Sequence, residues 1–415
     1  MRFLRTAPTG RLLALIAGVV VAIAAGTAIA VAATSGGPVP PAKPLASAVH
    51  DALTAKPVAG ITADVSFTNA LISSDALPGE TADPLLQGTS HGRVWLSNDG
   101  RLRIELQGDN GDANLVLNNN SFWVSDPMQH TVYEGTLPAD TTAKSSKAKA
   151  SQDHVPTIAD IQSELTRLMK NVDVAGAGTS NPGDVAGQAA YSVSVSPKHS
   201  GGLLGQAQLA WDAATGVPLR FAIYARGNPS PVLALTATNI SYGKIADSDL
   251  NITPPAGDKV VKVSTAGAPG AQASASKAVR KAKHAQVTGV AAVSRHVSFK
   301  LIAPKAAVGL RRQGVTLLDW AGKPAALLTY GQGLGGIAVI EQSAPAGAAA
   351  GGSGSGTGGL NLPSVSIKGA TGTELATPLG TVIHFTRNGV SYTVLGSVAP
   401  YAAESAARAL THSSP

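Results

Sequence analysis

Residues 207–263 read AQLAWDAATGVPLRFAIYARGNPSPVLALTATNISYGKIADSDLNITPPAGDKVVKV, and this stretch decides the fold class. A first apolar run ends at Trp211-Asp212. Ala214-Thr215-Gly216 then supplies a turn whose glycine is free to take positive φ. In the second run Leu219, Phe221 and Ile223 point one way and Arg220 the other, as a half-buried strand requires. Gly227-Asn228-Pro229 turns the chain again, and Val232–Tyr242 forms a long third run rich in β-branched residues. A Pro-Pro stop closes the stretch. The reading is a β-meander that is poor in charge, a sheet suited to covering something apolar.

The same rhythm extends upstream. Gly92–Leu96 meets the hairpin turn Ser97-Asn98-Asp99-Gly100. Arg101–Leu106 alternates strictly, with Leu102, Ile104 and Leu106 on one side. Asn114–Leu117, Ser121–Val124 and Thr131–Glu134 continue the strand-and-turn pattern, and Ile61–Thr68 precedes it. Leu71–Gln87 reads as a long loop able to act as a flap, and Asn171–Ala186 as a loose glycine-rich loop before a strand at Gln188–Val195. A helix starts at Pro44, with Leu45, Val49 and Leu53 on one face. A second begins at a Thr157/Asp160 capping box and carries Ile158, Ile161, Leu165, Leu168 and Met169. The expected fold class is α+β: an unclosed antiparallel β-barrel with these helices on its concave face, joined to a second, small α+β domain.

Outside this core the chain divides by composition. Residues 1–11 form a basic tip with Arg2, Arg5 and Arg11, followed by an uncharged run over 12–33. At 1.5 Å per residue that run measures roughly 33 Å, enough to span a bilayer. It reads as a transmembrane signal anchor or as a signal peptide cleaved near Ala28-Ile29-Ala30 or Ala30-Val31-Ala32. Either reading exports the rest. Residues 34–43 are a Gly/Pro linker, 44–263 the half-barrel domain, 264–295 a second linker and 296–410 the C-terminal domain. In that last domain strands are expected at Val297–Ile302, Val315–Trp320, Ala325–Tyr330, Ile337–Glu341, Pro363–Ile367, Gly380–Arg387 and Ser391–Leu395, with a Gly-rich loop at 344–359 and a helix at Ala399–Leu410.

Among the 415 residues there is no cysteine, which excludes disulfides, thiolate metal sites and cysteine nucleophiles. The net charge of +7 is dispersed apart from Lys277–His284, and no basic face interleaved with aromatics marks a nucleic-acid partner. Gly331–Gly336 satisfies G-x-G-x-x-G, but a β-like run follows where a dinucleotide site needs a helix. No close histidine pair, nucleophile elbow or carboxylate pair is visible, so no enzyme activity, metal or cofactor is expected.

Trp211-Asp212-x-x-Thr215-Gly216-x-Pro218-Leu219-Arg220, with Asn239-Ile240-Ser241-Tyr242-Gly243 and Pro254-Pro255-Ala256-Gly257, resembles the LolA/LolB/RseB-type lipoprotein-carrier superfamily in the form found in actinobacterial exported proteins. The resemblance covers about half of the chain. It implies an unclosed barrel plugged by helices, and an apolar cavity that holds lipid or lipoprotein acyl chains. The residues that would line it are Phe67, Leu102, Ile104, Leu106, Leu115, Leu117, Phe122, Leu219, Phe221 and Ile223, with Trp95, Trp123 and Trp211 at the rim; ordinary core packing is the competing reading for each. The alternative within the superfamily is an envelope-stress sensor that binds an envelope protein partner. The C-terminal domain resembles one that recurs in bacterial exported and anti-sigma-linked proteins, and that likeness implies no chemistry.

Overall fold

The computed structural model describes residues 37–72, 88–108, 111–118, 121–127, 130–136, 156–176, 178, 180–198, 202–263, 287–320, 323–344 and 362–411. The anchor or signal run at 12–33 and most of the Leu71–Gln87 loop lie outside them. Among the described residues no helix is long and apolar enough to cross a membrane.

The chain is mostly β, with few helices. The meander at 207–263 forms β10 (Leu204–Asp212), β11 (Pro218–Ala225) and β12 (Pro231–Tyr242). The upstream run forms β1 (Gly60–Asn69), β2 (Gly88–Ser97), β3 (Leu102–Leu106), β4 (Ala113–Asn118), β5 (Ser121–Asp126) and β6 (Thr131–Thr136). β1 pairs with β2 on one side and β12 on the other, so it welds the meanders into one 13-stranded sheet curled as a half-barrel. β9 (Gln188–Pro197) extends it beyond β10. At the far edge β13 (Lys259–Val263) adds parallel to β6.

The Asn171–Ala186 stretch is not a loose loop. It holds β7 (Val172–Ala175) and β8 (Asn181–Val185), both paired with β9. These short segments carry too little hydrophobic pattern to announce themselves, and hydrogen bonding to β9 sets their conformation.

The motif between β10 and β11 owes its residues to one knot of contacts. The Asp212 carboxylate accepts from the Ala214 and Thr215 amides at 2.7 and 3.2 Å, and Tyr242 on β12 donates to its other oxygen at 2.5 Å. Burial first, and the Asp212 bond second, hold the Tyr242 phenol far above its usual pKa. Gly216 takes φ +71°, and a Cβ there would sit 2.6 Å from the Ala52 carbonyl oxygen. A glycine is therefore required twice, for the turn and for the approach of helix α1 (Leu45–Thr54). Helix α2 (Ile158–Leu168) starts at the expected capping box, with Thr157 and Asp160 bonded reciprocally.

The second sheet has eight strands: β14 (Ala306–Ala307), β15 (Leu310–Trp320), β16 (Lys323–Tyr330), β17 (Ile337–Ser343), β18 (Ser364–Ile367), β19 (Ala370–Thr377), β20 (Gly380–Arg387) and β21 (Val390–Gly396). Helix α5 (Pro400–Ala409) packs on it through Ala403, Ala406 and Ala407. Two expectations fail here. Val297–Ile302 forms no strand; it runs over the core, packing Val297, Phe299, Leu301 and Ile302 inward. β19 carries no such expectation because its Thr-rich sequence, with one apolar side chain larger than alanine, alternates weakly. Within the stretch read as linker, α4 (Val290–Ser294, after α3 at Asp247–Leu250) buries Val293 in this same core. Gly331–Gly336 is the connection of the β16–β17 hairpin, and a strand follows it.

Candidate functional site

Cross-strand partners share a face of the sheet, so register assigns every side chain to one side. Ile61 pairs with Leu96, Leu96 with Leu102, Leu102 with Leu117, and Leu117 with Phe122. Val94, Ile104 and Leu115 form the next row, and Leu106 a further one. In the other direction Phe67 pairs with Leu235, Leu235 with Phe221, and Ile223 with Leu233. Leu219 joins the cluster of Ala63, Val65 and Ala237 on the same side. All of the expected aliphatic and phenylalanine positions therefore lie on one face.

That face is closed unevenly. Helices α1 and α2 pack together at the β7–β9–β10 end, over Val174, Tyr191 and Trp211. The β8 end, through Val185 and Ala186, covers the centre, where Leu106 and Leu219 are buried. Leu102, Leu115, Leu117, Phe122, Phe221 and Ile223 stay half-buried and join none of the buried clusters of the described residues. Phe67 and Ile104 are half-buried at the margin of the central cluster. On α2 only Ile161 is buried, while Ile158, Leu168 and Met169 are exposed. The expected apolar stripe of that helix is thus only partly used against the sheet.

The tryptophans do not form a rim. Trp95 and Trp123 sit one residue out of phase with Leu96 and Phe122 and so point to the opposite face. Trp95 is 9% exposed, packs with Ile245 and Leu250 of the α3 segment, and lies under the Arg103 guanidinium at 4.4 Å from ring centroid to Cζ. Arg103 also donates to the Asp249 carbonyl at 3.2 Å, and Arg101 pairs with Asp247 at 2.8 Å. These contacts strap the α3 segment across the outer face. Trp211 is a core residue, 4% exposed against Tyr191. For Trp95 and Trp123 the reason is the period of 2: adjacent residues of one strand point to opposite faces.

Beside Trp123 the outer face carries a groove of about 790 Å³ between β4–β6 and residues 250–254. Local sequence does not reveal it, because its wall comes from a segment far from β4–β6 in the chain. Among the described residues no group of three or more His, Asp or Glu side chains is placed to hold a metal ion.

No family model matches the chain, and no curated protein matches it. Solved structures similar to it include the MucA/MucB complex of Pseudomonas aeruginosa, with TM-score 0.38 and 16% identity, covering 87% of this chain and 94% of that one. MucB in complex with MucA(peri) gives TM-score 0.36 and 15% identity over 84% of this chain and 91% of that one. An outer membrane lipoprotein-sorting protein domain from Vibrio parahaemolyticus gives TM-score 0.18 and 10% identity, over 46% of this chain and 89% of that one.

Proposed function

We propose that this chain is an exported, non-enzymatic binding protein, tethered to the membrane by residues 12–33, whose apolar sheet face receives the acyl chains of a lipid or lipoprotein. One observation carries the reading. On this face Leu102, Leu115, Leu117 and Phe122 of β3–β5, and Phe221 and Ile223 of β11, are left half-buried on either side of a well-closed centre. Each methylene moved from water onto such a face contributes about 0.8 kcal/mol. No directional group is needed, so cargo would be selected by length and shape.

The same face suits a second reading. It is apolar and only half-buried, and α2 exposes Ile158, Leu168 and Met169 as well. An apolar segment of an envelope protein could lie along it, which would make the chain a sensor or regulatory module. Native mass spectrometry of residues 40–415, with lipid extraction and a fluorescent fatty-acid uptake assay, separates the two. Co-purified lipid, or uptake that Leu117→Asp abolishes, supports the acyl-chain reading. Recovery without lipid and without uptake overturns it and leaves the protein-partner reading.

A further inference from the structure

We infer that the groove on the outer face is a second binding site, for a neutral saccharide. Trp123 stands on its floor, flanked in register by Val116 and Glu134. The facing wall is residues 250–254, where Leu250 is fully buried and α3 is held by Arg101 and Arg103. Floor and wall are therefore fixed by packing independent of any ligand. Asn118 reaches across to Asn251 at 3.5 Å, and Ser121, Thr136 and Thr253 add hydroxyls to the lining. Glu134 and Lys262 face each other at 4.0 Å.

The chemistry of that lining selects among ligands. The groove is open along its length, so it cannot keep water from an acyl chain. Among the described residues its charges are one carboxylate against one ammonium, which gives these no cationic excess for a phosphate or an anionic headgroup. What remains is an aromatic side chain among the apolar Val116, Ile252 and Pro254, edged by amides and hydroxyls, with Asn118 bonded to Asn251 and Ser121 to the Asn118 carbonyl. A pyranose matches this: its C–H face carries partial positive charge toward the negative face of an indole, and its hydroxyls radiate sideways into donors and acceptors of both kinds. The site lies on the opposite face of the sheet from the acyl-chain surface, so the two proposals stand or fall separately.

The test applies the full-length chain to an array of neutral gluco-, manno-, galacto- and N-acetylglucosamine oligosaccharides, with titration calorimetry of any that bind. Saturable binding of at least one is expected, weakened about tenfold or more in Trp123→Ala, a loss equivalent to one decade in Kd. Asn251→Ala, an exposed position that leaves the floor intact, should weaken it several-fold, and fatty-acid uptake should be unchanged in both. Thermal melts establish that each variant is folded, and Asn251→Ala decides the matter if Trp123→Ala is not. Absence of binding by every neutral oligosaccharide overturns the inference. So does binding that neither substitution alters, or binding confined to anionic glycans and lost in salt.

Discussion

Replacing Glu341 by glutamine should abolish a steep pH dependence of stability in the C-terminal unit. Glu341 lies on β17 with 0% exposure. One carboxyl oxygen accepts from the Ile302 amide at 3.0 Å, and the other has no partner among the described residues. Burial pushes its pKa from 4.5 up to about 8, with the Ile302 bond opposing the shift. Below 4.5 both folded and unfolded chains hold the proton, and the full stability is present. Between 4.5 and about 8 only the folded chain holds it, so folding takes up a proton and stability falls by about 1.4 kcal/mol per pH unit. Across that interval the loss is on the order of 5 kcal/mol, and above it the curve flattens. Glutamine keeps the acceptor for Ile302 and has no proton to lose. Urea unfolding of both proteins from pH 4.5 to 9 provides the readout. The variant should match the wild type within about 1 kcal/mol at low pH and exceed it by several at high pH. Taking the difference removes the contribution of His384, whose pKa burial lowers. Tyr330 and Tyr392 are pushed upward by burial, above this range. Deuterium uptake by residues 297–305, corrected for the base-catalysed rise of the intrinsic exchange rate, should rise with pH in the wild type alone, because the Ile302 bond holds that segment. A difference that stays constant with pH would refute the reasoning.

Other expectations follow from the same contacts. Asp212→Ala leaves two turn amides and the Tyr242 hydroxyl without their acceptor, and should cost about 2–4 kcal/mol in denaturant melts. Gly216→Ala forces a side chain into a left-handed turn and against Ala52; loss of α1 docking should appear as protease sensitivity near residue 45. Leu219→Ala, at a site 2% exposed, should cost about 2–5 kcal/mol. Leu117→Ala should cost less than half as much while weakening fatty-acid uptake, and equal costs would make the row around Leu117 ordinary core.

Much of the large sheet was legible, because strict alternation in Arg101–Leu106 and 219–223 can be met only by half-buried strands. The same period placed the apolar candidates on one face. What alternation does not reveal is which element closes a face, since that depends on contacts between distant segments. Trp95 looked like a rim residue because nothing local shows that residues 245–250 return to cover it. Val297–Ile302 alternates like a strand yet is a covering segment, its polar contact supplied by a carboxylate some forty residues on. Short β7 and β8 form because β9 offers them a ladder; β7 is only four residues long, and the Pro-Gly in β8 argues for a loop.

The contrast between the two faces of β2–β5 bears most directly on function. On the outer side Trp95 is sealed by Ile245, Leu250 and two guanidinium groups, those of Arg93 and Arg103, at 5.8 and 4.4 Å. On the inner side the row Leu102, Leu117, Phe122 is half-buried. Fully burying an exposed side chain of this kind contributes about 1.5–3 kcal/mol, so completing the burial of each half-buried leucine would add part of that. The return segment at residues 245–250 instead covers a tryptophan already screened by arginines. The receiving surface proposed above accounts for an apolar row left half-buried at that thermodynamic cost. The Leu117 and Leu219 variants measure whether the cost is real.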